Sequence, residues 1–333
     1  MKVAIIGATG AVGREMLSDL EDSKIKDIQI GFFASQRSAG EMLTFRGRSF
    51  EVKAYQLNEL KGFDVCLLSA GGAFSKQNAK AISELGVTVI DNSSAWRMTE
   101  NVPLVVPEVN PKALSGLPKG SIIANPNCST IQMVVALKPL LDAFGIEEVH
   151  VSTYQSVSGT GQKGIKELAN QVEASFKFSE PKTQVYAQPI AFNILPAIDV
   201  LDGHGHCYEE EKMVRETRKI FALPNLVVLA TTVRVPVYHC HGEAVSVKLS
   251  RKISRKEAIA AMSSFVGLTM HLEDDHGSFP TPRKVAGDRG VHVARVRTPI
   301  DQESSPWIQF WVVADNLKKG AATNAVQILE AMN

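Results

Sequence analysis

Apolar residues in the first part of the chain fall in short runs, each closed by small or turn-forming residues. Residues 2–6 (KVAII) meet Gly7-Ala8-Thr9-Gly10-Ala11-Val12-Gly13 at once, and Met16, Leu17 and Leu20 then share one side of a helical pattern. This is the signature of strand, glycine turn and helix. The unit recurs. Strands are predicted at 28–33, 63–69, 87–90 and 122–124, with a helix over 75–85. They end at Ala70-Gly71-Gly72, Asp91-Asn92-Ser93-Ser94 and Asn125-Pro126-Asn127-Cys128. Strands alternating with helices imply a parallel sheet covered on both faces. Ligands of such sheets lie at the carboxyl ends of the strands, where these turns fall.

After about residue 145 the period changes. Val149, Val151 and Thr153 alternate with polar residues, as do stretches near 227–237, 243–249, 291–297 and 307–313. Alternation describes half-buried strands and favours antiparallel pairing, so a second domain with an antiparallel or mixed sheet is expected. Leu317 to Met332 reads as a closing helix. Residues 201–212 and 272–284, rich in Gly, His, Pro and charge, read as mobile loops. The expected class is α/β plus α+β: a Rossmann-like dinucleotide domain over 1–127, a second domain over 128–315, and a tail over 316–333 that returns to the first.

Composition narrows the function. The 333 residues suit two domains, and 44% hydrophobic with 21% charged residues is ordinary for a soluble globular chain. With 36 basic against 35 acidic residues the charge is +1, so nucleic acid and anionic membranes are not expected partners. The opening apolar run is far shorter than a signal core, and no stretch approaches the ~20 apolar residues of a membrane span. Cys66, Cys128, Cys207 and Cys240 are scattered and fit reduced thiols in a cytoplasmic protein.

Gly7, Gly10 and Gly13 let backbone N–H groups approach a pyrophosphate at the start of a helix. A turn that merely needs glycines is the plainer alternative. The second strand is more telling. Dinucleotide folds for NAD often place an acid at its end for the ribose 2′-hydroxyl. Here Ser35-Gln36-Arg37-Ser38 follows without one, and Arg37, Ser35 and Ser38 suit a 2′-phosphate, so NADP is expected. Cys128 opens an apolar helical pattern. The helix dipole there favours thiolate, the form that attacks a carbonyl. Ser129 or Thr130 would cap that helix, and Pro139 would kink or divide it. A thiol beside a nicotinamide suggests aldehyde oxidation through a thioester.

The segments GATGAVG (7–13), SQRSAG (35–40), SAGG (69–72), DNSSAWRM (91–98), VPLVVPEVN (102–110), NPNCST (125–130), YQSVSGTG (154–161), EEEK (209–212), RVPVYHCHGE (234–243) and DNLKKGAATNAVQ (315–327) together resemble the aspartate-semialdehyde dehydrogenase family over nearly the whole chain. The resemblance implies a second domain like the C-terminal domain of glyceraldehyde-3-phosphate dehydrogenase, which serves catalysis and dimerisation. It implies the reaction of L-aspartate 4-semialdehyde, phosphate and NADP+ to 4-phospho-L-aspartate and NADPH, run in reverse towards lysine, threonine and methionine. On the matching positions Cys128 is the nucleophile and Gln155 orients the reacting group. His241 is the acid/base, and the ordinary imidazole value of ~6.5 suits that task. Arg97 and Lys212 hold phosphate, Arg234 grips the substrate carboxylate, and Glu209 takes the ammonium, with a register uncertain by one within Glu209-Glu210-Glu211. Glu210 and Glu211 themselves read as a solvated helix face. Gly7, Thr9, Gly10, Ala11, Val12, Gly13, Ser35, Arg37, Ser38 and Gly71 face the cofactor. Ser158 and Gly159 contact it through backbone, and Asn316 reaches back to the nicotinamide. Trp96 stands where the family carries Phe or Tyr.

Two rivals share these features: a reductase of another acyl phosphate, such as N-acetylglutamyl phosphate, and an idle NADP-binding relative. Arg234 with Glu209 speaks against the first, and Cys128, Gln155 and His241 together against the second. No metal is expected. His204, His206 and Cys207 read as a solvated loop, and His239 and His241, on one strand face, lack a diagnostic ligand spacing.

Overall fold

The computed structural model describes residues 1–273 and 275–333, and it divides into two compact units. The first comprises Met1–Asn127 with Ala321–Asn333. Its elements are β1 (Lys2–Ile6), α1 (Ala11–Glu21), β2 (Gln29–Ala34), β3 (Met42–Phe45), β4 (Arg48–Glu51), β5 (Lys53–Ala54), β6 (Val65–Leu68), α2 (Gly72–Glu84), β7 (Thr88–Asp91) and β8 (Ile122–Ala124). Six strands form one sheet in the order β5-β2-β1-β6-β7-β8, every pair parallel. Val3, Ala4, Ile5 and Ile6 are all buried, as a central parallel strand covered on both faces requires. Met16, Leu17 and Leu20 of α1 join Ala325, Ile328 and Leu329 of the C-terminal helix (Thr323–Ala331) in one core. Ala79 and Ile82 of α2 fill a separate core on the other sheet face. The sequence pattern missed the β3–β4 hairpin. Its turn, Arg46-Gly47, takes left-handed φ values of 47° and 75°, the geometry usually marked by Asn-Gly.

The second unit is Cys128–Gly320. It carries α3 (Cys128–Phe144), β9 (Ile146–Gln155), α4 (Gln162–Phe176), α5 (Tyr208–Phe221), β10 (Val227–Arg234), β11 (His241–Ser254), α6 (Arg255–Ser263), β12 (Leu268–His271), α7 (Pro282–Val285), β13 (Val291–Arg297) and β14 (Ser304–Ala314). The sheet order is β10-β9-β11-β14-β13-β12. The three inner pairs are antiparallel and the two outer pairs parallel, so the sheet is mixed. One face, with Val149, Val151, Val245 and Val247, is buried under helices including α3 and α5. The opposite face exposes Tyr154 and Leu229 and half-buries Trp307 and Trp311.

Several expectations are corrected here. The α3 helix runs unbroken through Pro139, because residues 129–137 are buried throughout and packing holds the segment helical despite the missing N–H. Ser129 and Thr130 sit inside its first turn and do not cap it. Residues 208–212 are helical rather than loop, since Glu210 closes a capping box with Cys207. Residues 282–285 are helical too, and Asp274 of the same predicted loop lies outside the described residues. The strand expected over 227–237 ends at Arg234. The closing helix starts as a π-helical turn over Lys318–Ala322 before Thr323–Ala331. The chain re-enters the first unit at Ala321 rather than at 316, because Asn316 is hydrogen-bonded within the second.

Glu167 of α4 pins the segment that follows this helix. Its carboxylate is buried and accepts from the backbone N–H groups of Gln184 (2.9 Å), Val185 (2.6 Å) and Tyr186 (3.3 Å). Gln171, one turn on, accepts from the N–H groups of Ile190 (2.8 Å) and Ala191 (3.1 Å). Removing the carboxylate strands several donors at once. Glu167→Ala is therefore expected to lower the unfolding free energy by about 2–3 kcal/mol in urea titrations and to open residues 182–191 to protease.

Candidate active site

The second sheet aligns three candidate side chains in one row. In the parallel β10–β9 pair Arg234 stands opposite Gln155, and in the antiparallel β9–β11 pair Gln155 stands opposite His241. Paired residues share a sheet face. Arg234, Gln155 and His241 are thus neighbours by register, and all three are buried.

Past the end of β9 the chain turns through Ser156 and the short helix Val157–Thr160. The Ser156 carbonyl accepts from Arg234 Nη1 at 2.6 Å, and the Ser156 N–H donates to His241 Nδ1 at 3.1 Å. One residue therefore fixes both the guanidinium and the imidazole. Because Nδ1 accepts, the ring proton of neutral His241 sits on Nε2. Nε2 has no hydrogen-bond partner among the described residues. A Cβ on Gly159 would lie 2.9 Å from Arg234 Nη1 and 3.5 Å from His241 Nε2, so glycine is needed for these groups to converge. Asn316 ties the loops together. Its Oδ1 accepts from Ser156 Oγ (3.2 Å), Ser158 Oγ (3.1 Å) and the Cys240 N–H (3.0 Å). The N–H groups of Ser158 and Gly159 donate to the Tyr238 and Ser156 carbonyls, and the Ser158 carbonyl accepts from the Gly161 N–H at 2.8 Å.

His241 does not keep the ordinary imidazole value. Burial and the neighbouring Arg234 charge push it down to about 3, against weaker opposing effects of Glu209 and the Cys240 backbone. The ring is neutral at physiological pH, with its proton on Nε2. Nor does it share a strand face with His239. The strand begins at His241, and Cys240 takes a left-handed φ of 69°. No group of three or more His, Cys, Asp or Glu among the described residues is arranged for a metal ion.

The acidic run separates cleanly. Glu209 is buried, accepts from Gln155 Nε2 at 3.1 Å and pairs with Lys212 Nζ at 2.6 Å. Lys212 also lies 3.5 Å from Asp199 and over the Tyr208 ring. Glu210 accepts from the Cys207 and Thr232 N–H groups, both at 3.0 Å, so it is a structural cap rather than a solvated side chain. Glu211 pairs with Arg215. Cys128 begins α3, half-buried, with its sulfur at the positive end of the helix. A Cβ on Gly320 would stand 2.8 Å from the Cys128 Cβ, so Gly320 lets the chain pass close to Cys128.

The first unit holds the remaining candidates. Gly7 has φ 84°, and a Cβ there would lie 2.3 Å from the Ser69 carbonyl oxygen; one on Gly13 would lie 2.2 Å from the Gly7 oxygen. Packing alone demands both glycines. Gly10 differs: it is the N-cap of α1, and a Cβ on it meets only the Gly7 oxygen, at 3.3 Å. Thr9, Ala11 and Val12 complete that turn, and the first N–H groups of α1 have no acceptor within the helix. Gly71 caps α2 with φ 87° and open space before it. Two glycine-started helices at adjacent strand ends form a fitting anion cradle. Ser35, Arg37 and Ser38 lie just beyond β2, with Arg37 exposed and no acid among them. Arg97 is buried and donates to the carbonyls of Asn125 (2.9 Å) and Asn92 (3.1 Å), which hold its guanidinium at the ends of β7 and β8. Trp96 donates to Ser75 Oγ at 3.0 Å, a bond that Phe would forgo.

Sequence reasoning assigned no role to Ser156, Gln132 or Glu243. Ser156 acts through its backbone and also through Oγ, which meets Ser158 Oγ at 3.0 Å, His241 Nδ1 at 3.2 Å and Asn316 Oδ1 at 3.2 Å. Gln132, one helical turn after Cys128, donates to the His241 carbonyl at 3.2 Å. Glu243 lies fully buried in β11.

Family models match both units: the NAD binding domain of semialdehyde dehydrogenases over residues 2–117, and their dimerisation domain over 137–319. The aspartate-semialdehyde dehydrogenase of Aquifex aeolicus is 49% identical over 333 residues, covering 99% of this chain and 97% of its own. That of Bacillus subtilis is 41% identical over 340 residues, covering 100% and 97%. The crystal structure of aspartate semialdehyde dehydrogenase II from Vibrio cholerae complexed with ASA superposes with a TM-score of 0.93 at 44% identity, covering 99% of this chain and 97% of that one.

The depressed imidazole value makes a signed prediction. The unfolded chain binds a proton near the ordinary ~6.5, whereas folded His241 resists it down to about 3. Its share of stability is therefore complete above pH ~6.5 and falls with pH by up to about 1.4 kcal/mol per unit. The stability difference between wild type and His241→Phe, from denaturant melts, is expected to shrink steadily as pH falls below 6.5 and to be flat above it.

Proposed function

The chain belongs to the aspartate-semialdehyde dehydrogenase family, and from this we propose that it interconverts L-aspartate 4-semialdehyde, phosphate and NADP+ with 4-phospho-L-aspartate and NADPH through a thioester on Cys128. In the cell the flow runs towards the semialdehyde, and so to lysine, threonine and methionine. The observation that carries this reading is the row Arg234–Gln155–His241, with Glu209 hydrogen-bonded to its middle member.

Cys128 sulfur adds as thiolate to the aldehyde carbon, and the carbonyl oxygen becomes an alkoxide. His241 Nε2–H donates to that oxygen, so no base is needed to unmask it. Bound nicotinamide supplies the hydride exchange. Collapse of the alkoxide leaves the Cys128 thioester, and a phosphate oxygen then attacks it and returns the thiolate. Gln155 orients the reacting carbonyl. Arg234 grips the substrate carboxylate as a fork, a role its lock on Ser156 prepares. The substrate ammonium takes Glu209 in place of Lys212, which frees Lys212, together with Arg97, for phosphate. This free amino acid head is what the acetylated rival substrate lacks. The glycine turns at 7–13 and 71 receive the pyrophosphate, and Arg37 with Ser35 and Ser38 receives the 2′-phosphate of NADP. Ser158, Gly159 and Asn316 line the nicotinamide end.

The protein works in the cytoplasm as a homodimer. The match to a dimerisation domain supports this, as does the sheet face of Tyr154, Leu229, Trp307 and Trp311. No described helix is long and apolar enough to cross a membrane.

Two measurements test the reading. With semialdehyde and NADP+, NADPH formation should require phosphate and vanish in Cys128→Ser, while that variant still binds NADP+. A wild type that binds NADP+ but makes no NADPH refutes the substrate assignment. Arg234→Leu should raise KM for the semialdehyde by about tenfold or more, the loss of one charge-assisted pair, and leave the Kd for NADP+ unchanged.

A further inference from the structure

Glu243 is fully buried, two residues along β11 from His241, and neither carboxyl oxygen has a hydrogen-bond partner of good geometry among the described residues. The reaction described above gives it no task. A buried ionised carboxylate without a partner is strongly disfavoured, so such a residue is expected either to be neutral or to be paired. Among the described residues no cation pairs with the carboxyl. In register, β9 offers Thr153 and β14 offers Val312. From the helical side come Glu209 and the side-chain amide of Gln132, which acts on the carboxyl without a hydrogen bond of good geometry between them. Burial first, with Glu209 adding to it, raises the Glu243 carboxyl well above the usual range, against the Gln132 amide.

Gln132 shows what a neutral carboxyl would do here. It follows Cys128 by one helical turn and so points from the same face of α3. Its Nε2 donates to the main-chain carbonyl of His241, which links the nucleophile's helix to the histidine's strand. That uses one of two amide hydrogens and leaves Oε1. A neutral carboxylic acid matches both remaining groups: its O–H donates to the amide oxygen, and its carbonyl accepts the second N–H. A carboxylate could accept but would face the amide oxygen with no proton between them.

We propose that Glu243 is a positioning residue that works as a neutral carboxylic acid, paired side by side with the Gln132 amide so that Cys128 and His241 keep a fixed spacing. It touches neither substrate nor cofactor. The inference rests on the roles proposed above for Cys128 and His241.

The test joins an infrared measurement with kinetics. Wild-type protein at about pH 8, without substrate, should show a protonated carboxylic acid band that Glu243→Gln removes. Glu243→Gln, which still offers both a donor and an acceptor, should keep kcat within about threefold and leave the pH profile in place. Glu243→Leu should lower kcat by about tenfold or more with KM and NADP+ affinity unchanged, and Gln132→Leu should do the same. The double variant should be no slower than the slower single. Absence of the band overturns the proposal, and this holds even if Glu243→Leu does not fold. A Glu243→Leu enzyme with wild-type kcat overturns it, as do additive losses in the double variant or a Glu243→Gln enzyme as slow as Glu243→Leu. The band needs no turnover, so an inactive wild type would refute the assigned reaction while leaving the pairing to be judged by the spectrum.

Discussion

The hydrogen-bond register of β10, β9 and β11 is the constraint on which the second unit's chemistry depends. A slip of one residue in either pairing would turn Arg234 or His241 to the opposite sheet face. The ladder is anchored at the site itself, because Ser156 hands its carbonyl to Arg234 and its N–H to His241 immediately after β9 ends. Backbone geometry thus sets the directions of both side chains before any side chain–side chain contact contributes. Gly159 and Asn316 refine the same corner, the first by leaving room and the second by binding three donors at once.

Charge in this corner is sparse for its degree of burial. Arg234 and Lys212 bring positive charge, Glu209 pairs with Lys212, and His241 is neutral because burial and Arg234 both oppose a second cation there. A low-dielectric pocket of this kind strengthens each remaining donor, since no solvent has to reorganise when negative charge develops on a reacting oxygen. The Glu209–Lys212 pair joins two long side chains one helical turn apart.

The parallel sheet of the first unit was legible because buried strands read as unbroken apolar runs and their turns are marked by glycine. The alternating strands of the second were legible too, though not their directions: β10 runs parallel to β9 because helix α5 carries the chain back, and side-chain periodicity is blind to strand sense. Pro139 misled for a related reason, since local propensity yields where every neighbouring side chain is buried. Within the site, Cys128 and Arg37 could be argued from residue type and position. Gln155 and Glu209 emerged only through family resemblance, because a lone glutamine or one glutamate of three carries no local signal. The ordinary imidazole value expected for His241 does not allow for its burial, which is a property of packing and not of residue type. Ser156 stayed hidden because half of its part is played by backbone atoms and its hydroxyl partners lie far along the chain, at His241 and Asn316.

The pairing of Gln155 with His241, and of His241 with Ala314, has a meaning in time as well as in space. These partners are far apart in the chain, so they meet only after long loops have closed, a slow step in folding. Cys128 is made early by a ribosome working from the N-terminus, yet the strand that presents His241 is not synthesised until well over half the chain exists. The nascent chain therefore carries Cys128 well before the register that sets Arg234, Gln155 and His241 side by side can form.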